Sequence, residues 1–172
     1  MGKSHQFEMG KMRFMPPIQL HPSRDLAHLL PLLRDAEEGD ARIVAALNDS
    51  TVMAYIAQCD GSDVGAAAVR WTSDDGEILY IATRPAARGQ GYGKALMRGL
   101  IDEARARGVE ALNVGTANSN WSGIAFYQKC GFRMASVRKD FFDYLPAPVY
   151  DDGIQMRDML MLRLNVPEAA AR

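Results

Sequence analysis

Leu79-Tyr-Ile-Ala-Thr-Arg-Pro-Ala-Ala-Arg-Gly-Gln-Gly-Tyr-Gly-Lys-Ala-Leu96 is the stretch on which the reading of this chain turns. A β-rich run meets a proline turn, then glycines at 89, 91 and 93, then a helical pattern. Alternate glycines leave little Cβ in the way, so successive backbone N–H groups can face one concavity, backed by the positive end of the following helix. Such a loop suits an anion, above all a pyrophosphate.

Working outward, residues 52–58, 64–71 and 77–83 read as three strands separated by Asp60-Gly61-Ser62 and Ser73-Asp-Asp-Gly76, an antiparallel meander that runs straight into the loop. Upstream, residues 13–20 suggest a strand confined to an edge by Pro16-Pro17. From Ser23 or Asp25 as cap, Leu26, Leu29, Leu30 and Leu33 recur at helical spacing, with Pro31 expected to kink or split the helix. Gly39 should stop it, and Asp40 should cap a shorter helix through Leu47.

Downstream, residues 92–107 form a helix stopped by Gly108, and the strand at 111–116 must return beside 77–83 in a right-handed crossover. A helix at 121–129, stopped by Gly131, precedes strands at 132–138 and 157–164. The connection 139–155 lacks periodicity but carries Phe141, Phe142, Tyr144 and Tyr150, which argues for a functional segment rather than a flexible one.

At 172 residues, with 48% hydrophobic and 24% charged residues, the chain fits one soluble domain at 11–166, with a poorly ordered leader or expression remnant at 1–10 and a flexible tail at 167–172. Twenty Lys and Arg against 21 Asp and Glu give a net charge of -1, which offers no general attraction to nucleic acid or an anionic membrane, so any anion must be held by a local site. No run approaches the ~20 apolar residues of a membrane span. Cys59 and Cys130 lie far apart, without a metal-clip spacing, and His5, His21 and His28 have no ligand company, so no metal is expected. A reducing, cytoplasmic setting fits best.

Two motifs and their order resemble the GNAT N-acetyltransferase superfamily, bacterial type, over about 51–164. Arg88-Gly-Gln-Gly-Tyr-Gly93 is similar to its acyl-CoA loop, and Asn120-Trp-Ser-Gly-Ile-Ala-Phe-Tyr-Gln-Lys-Cys-Gly-Phe132 to its later helix. Gly123 departs from the family's usual alanine, at a helix-propensity cost of about 1 kcal/mol. The resemblance implies an α/β (α+β) GNAT fold: a mixed, mostly antiparallel six- to seven-stranded sheet flanked by about four helices.

It also implies acetyl-CoA as co-substrate. The backbone of Gly89, Gln90, Gly91, Tyr92, Gly93 and Lys94 would hold the pyrophosphate, with Arg88 fixing the loop or pairing with phosphate. The edge of Ile81, Ala82 and Thr83 would pair with the pantetheine arm and offer an N–H to the thioester carbonyl, and Asn120 would bond the pantetheine or phosphate region. Tyr127 falls on the family's general-acid tyrosine; its alternative is a core aromatic. Glu77 is the candidate base, directly or through water; its alternative is a solvated turn residue.

Trp71, Phe141, Phe142, Tyr144 and Tyr150, with Asp140, Asp143, Asp151, Asp152 and Asp158, could form an aromatic and acidic cleft for a cationic amine, or merely seal a sheet edge or dimer contact. The expected activity is direct transfer of acetyl from acetyl-CoA to a primary amine, with a small-molecule acceptor favoured over a protein. A polyamine, an amino sugar, an amino acid and a protein terminus all remain open as acceptors, as does a homodimer. The alternative is a non-catalytic acyl-CoA-binding or sensory module on the same fold.

Overall fold

The computed structural model describes residues 16–37 and 39–166. The leader expected at 1–10, the start of the strand expected at 13–20 and the tail expected at 167–172 lie outside the described residues. The first strand, β1 (Gln19–Ser23), starts later than the pattern suggested and includes Pro22. It is tolerated because β1 is the outermost strand, where a missing N–H need not break a ladder.

Asp25 caps α1 (Leu26–Leu33), its Oδ1 accepting from the His28 N–H at 3.2 Å. The helix runs two residues past Pro31 instead of splitting there, then tightens into a 3-10 turn at Arg34–Ala36. Burial of Leu29, Leu32 and Leu33 holds it across the hydrogen bond that proline cannot donate. In α2 (Asp40–Leu47) the cap position belongs to Gly39, and Asp40 is the first helical residue, paired to Arg34 at 2.7 Å.

The meander is β2 (Val52–Cys59), β3 (Ser62–Trp71) and β4 (Asp75–Thr83), with β4 beginning two residues earlier than expected. After it come α3 (Tyr92–Arg107), β5 (Ala111–Ala117), α4 (Trp121–Lys129) and β6 (Arg133–Arg138). A short hairpin of β7 (Tyr150–Asp151) and β8 (Ile154–Gln155) follows, then β9 (Met159–Asn165). The seven-stranded sheet has the order β1-β2-β3-β4-β5-β9-β6, with β4 and β5 parallel and every other pair antiparallel. The four α-helices and mixed sheet are those the resemblance implied.

Each face of the sheet has its own core. Alternation along β3 sends Val69 and Ala67 to the face covered by α3, with Leu96, Met97 and Leu100. Ala66 and Ala68 go to the other face, with Leu29, Leu33 and Ile43 of α1 and α2.

The feature that places the site is an interruption between β4 and β5. Their ladder joins four residue pairs, from Asp75↔Ala111 to Ile78↔Val114, and stops there. Beyond that point β4 stays paired to β3 as far as Thr83↔Gly65, while β5 stays paired to β9 as far as Ala117↔Met159. A bulge accompanies the separation: β3 steps from Ala68 to Val69 while β4 steps from Tyr80 to Ile78, leaving Leu79 extra. An extra residue bends its strand and raises the local twist, which turns the two strands apart.

Candidate active site

The separated strands open a cleft of about 920 Å³ on the α1–α2 side of the sheet. Its floor is the β4 edge from Ile78 to Ile81 and the end of β5; its walls come from α2, the α4 N-terminus and the aromatic turn after β6. Leu79 to Thr83 have no ladder partner on the β5 side, so this edge offers backbone donors and acceptors to a guest. Ile81 lines the cleft, and Ala82 and Thr83 lead from it into the glycine loop.

Gly89 and Gly91 have φ of +74° and +92°, and Gly91 is the N-cap of α3 without any side-chain cap. A backbone in this region is what glycine permits at little cost, and it leaves the first N–H groups of α3 without side-chain competition for an anion. Gly93 answers to space instead: a Cβ there would stand 3.3 Å from Thr83 Oγ1 and 3.5 Å from Phe126. Arg88 fixes the loop, donating through Nε to the Thr83 carbonyl at 3.2 Å and pairing through Nη2 with Asp35. Gln90 donates to the Ala86 carbonyl at 2.7 Å, and the neighbouring Cys59 thiol raises the Tyr92 phenol. Lys94 is exposed and makes no ion pair among the described residues.

Tyr127 reaches the cleft from the opposite face of the sheet, through the separation. It is 9% exposed and packs edge-on against Phe126 and Phe132, at centroid distances of 5.3 and 6.1 Å. Burial, with the nearby Cys130 thiol as a lesser cause, pushes its phenol up to about 12. Cys130 is itself raised by burial, partly opposed by Lys94.

Asn120 lines the cleft and caps α4: its Oδ1 accepts from the Gly123 N–H at 2.8 Å and from Ser122 Oγ at 3.0 Å. Beside it is a residue that the sequence reading passed over. Ser119 is 1% exposed, borders the cleft, and its Oγ has no hydrogen-bond partner among the described residues. Nothing in Asn118-Ser119-Asn120 distinguishes such a hydroxyl from an ordinary turn residue.

Glu77 lies on the cleft face of β4 but not as a solvated turn residue. Its Oε2 accepts from Arg70 Nη1 at 3.4 Å and its Oε1 from Arg138 Nη2 at 3.0 Å. Of the aromatic and acidic residues expected around the acceptor, Phe141, Phe142, Tyr144 and Asp151 line the cleft. Trp71 does not: it is on the α3 side, donating to the Tyr55 hydroxyl and stacked under Arg107. Asp140 pairs with Arg157, and Asp158 accepts from the Asp140 N–H. The basic lining, Arg34, Arg42, Arg70 and Arg138, had no counterpart in the sequence reading. Among the described residues no cluster of His, Cys, Asp and Glu could hold a metal ion, and no helix is long and apolar enough to cross a membrane.

A seven-stranded mixed sheet opened between its parallel pair, with a glycine loop at one mouth, is the architecture that the sequence resemblance implies. The sequence pattern of the acetyltransferase (GNAT) family matches residues 11–132, and the chain belongs to that family. It is 36% identical over 91 residues to the uncharacterized N-acetyltransferase YvbK of Bacillus subtilis, which covers 52% of this chain and 59% of that one. The chain thus spans little more than half the length of that relative. A GNAT family acetyltransferase from Elizabethkingia anophelis, solved with acetyl-CoA bound, superposes with a TM-score of 0.78 at 29% identity over 86% of this chain and 97% of its own. A Bacillus subtilis acetyltransferase in complex with CoA gives 0.80 at 27% identity, over 88% and 100%.

Proposed function

We propose that residues 11–166 form one catalytic domain that transfers an acetyl group from acetyl-CoA to a primary amine by direct attack. The observation that carries this reading is the unpaired β4 edge, which runs into the glycine loop and borders the cleft that Tyr127 also lines. Those residues fit an acyl-CoA: positive-φ glycines at a helix N-terminus for the pyrophosphate, a free strand edge for the pantetheine amides, and the orphan Ser119 hydroxyl beside that edge. Asn120 and the exposed Lys94 complete the donor side. Acetyl-CoA supplies the activated acyl group when bound; no metal is required.

In the transfer, the amine lone pair attacks the thioester carbonyl, a C–N bond forms, and the C–S bond breaks. An N–H of the unpaired edge around Ile81 stabilises the developing oxyanion. Tyr127 gives its proton to the leaving thiolate and is reprotonated from solvent. Its raised pKa keeps it neutral, and so able to donate, at physiological pH.

The amine, with an ordinary pKa near ~10.4, arrives protonated and must lose a proton first. Glu77 is the base, and because both its oxygens are held by guanidiniums the proton passes through a water on their remaining lone pairs. Neither Cys59 nor Cys130 is needed for a covalent intermediate. The test is CoA thiol release from acetyl-CoA across amine classes, with calorimetric titration of acetyl-CoA in parallel. Tight binding with no release for any amine would favour the sensory-module alternative.

A further inference from the structure

The cleft is not built for a polycation. Five carboxylates line it against four guanidiniums. Of those carboxylates only Asp151 makes no ion pair among the described residues. A polyamine needs surplus negative charge, and this surface is close to neutral with its charges already matched.

What it presents instead is alternating sign at short range. Arg70 on β3 and Arg138 on β6 straddle the Glu77 carboxylate, at 3.4 and 3.0 Å. Each guanidinium has five N–H donors, yet Arg138 makes one hydrogen bond, to Glu77, and Arg70 makes one, also to Glu77, among the described residues. Arg70 adds only a looser contact to Asp49, at 3.7 Å. Both side chains are partly open, at 39% and 47% exposure, so forks of donors remain for a second carboxylate. Unlike charges about one hydrogen-bond length apart match an α-amino acid, whose ammonium and carboxylate are separated by a single carbon. Phe141, Phe142 and Tyr144 line the same cleft with ring centroids 5.1 to 6.2 Å apart; Arg42 covers the Tyr144 face at 3.9 Å, and Phe142 adds an apolar face beside it.

We infer that the acceptor is a free α-amino acid with an apolar side chain, its amine at Glu77 and its carboxylate on Arg70 and Arg138. The inference rests on the transfer reading above and narrows its acceptor. The chemistry is unchanged: the α-amine nitrogen forms the amide bond, its proton leaves by way of Glu77, and CoA departs as the thiol.

The test measures thiol release from acetyl-CoA by the full chain with L-phenylalanine, L-leucine and L-methionine, with their carboxamides, and with spermidine. Acetyl-CoA binding is titrated separately. The expected result is kcat/KM for each acid at least ~10-fold above its amide and above spermidine, since a site built to bond a polar group rejects the analogue lacking it. Arg138→Gln should carry that ratio towards one through KM, and Arg70→Gln provides the same reading should the first variant fold poorly. Amides or spermidine performing as well as the acids overturns the inference, as does acetyl-CoA binding with none of the acids turned over. Absence of acetyl-CoA binding removes the transfer reading itself, and this inference with it.

Discussion

The side-chain amide of Asn120 occupies the space that a Cβ on Gly123 would need: Asn120 Nδ2 lies 2.6 Å and Cγ 2.9 Å from that position. The glycine that looked like a departure in a helix is therefore what lets the cap residue fold over its own first turn. Helix propensity favours alanine at 123 by about 1 kcal/mol, while the displaced cap costs about 0.5–2 kcal/mol. Gly123→Ala should be neutral or destabilising in the wild-type background, yet stabilising by about 1 kcal/mol in an Asn120→Ala background. Denaturant titration of the four proteins in this cycle measures it, and equal effects in both backgrounds would refute the steric account.

Tyr127→Phe removes the phenolic proton and little else. General acid catalysis contributes ~10²- to 10⁴-fold, so kcat should fall within that range while the affinity for acetyl-CoA stays within a few-fold. An unchanged kcat would assign Tyr127 to packing alone.

The same tyrosine makes stability depend on alkaline pH. Its folded-state pKa of about 12 exceeds the ordinary value of 10.0, so the folded protein binds more protons between these values. Its contribution is fully present below pH 10 and is lost as pH rises towards 12, a loss of about 2–3 kcal/mol at 1.36 kcal/mol per unit. Tyr55, Tyr80 and Tyr144 are raised too, so the comparison that isolates Tyr127 is wild type against Tyr127→Phe. Chemical denaturation from pH 9 to 12 should show the wild type losing more stability than the variant.

Glu77→Gln keeps an acceptor for the guanidiniums but cannot take a proton. At pH 7 kcat should drop about 10²-fold, and the deficit should shrink as pH approaches the acceptor amine's own pKa, above which free amine needs no base. Parallel pH–rate profiles for the two proteins would remove Glu77 from the proton path.

Ser119→Ala separates stability from binding. Deleting a buried hydroxyl without a partner removes a desolvation penalty, so the free protein should gain up to about 1 kcal/mol. If the Oγ bonds the bound acyl-CoA, calorimetry should show weaker acetyl-CoA binding in the same variant. Lower stability together with unaltered affinity would contradict both halves.

The donor side of the site is legible in the sequence because it depends on local backbone rules. Gly89 and Gly91 sit at positive φ and Gly108 ends its helix, each readable from one residue and its neighbours. The acceptor side depends on contacts across the sheet. Arg138 reaches Glu77 from 61 residues away, and Trp71 is turned to the α3 face by strand alternation, so neither placement follows from spacing. One local signal in 139–155 was readable and missed. Asp152-Gly153, with φ of +50° and +77°, is the two-residue turn that joins β7 to β8. Its strands have two residues each, too short for alternation to register.

The four-pair ladder between β4 and β5 has a consequence for the molecule as a machine. The sheet is two plates, β1 to β4 and β5 with β9 and β6, hydrogen-bonded to each other along a seam of four residue pairs and sharing the core beneath α3. The seam is reinforced from the far plate by Arg163, which grips Asp75 with two hydrogen bonds at 2.9 and 3.2 Å, and by Arg138 on Glu77. The first fastening lies at the closed end and the second beside the cleft, and beyond them Leu79 to Thr83 face Gly115 to Ala117 across the gap. A guest that pairs with the free edge of β4 would stand in for the missing rung between the two plates.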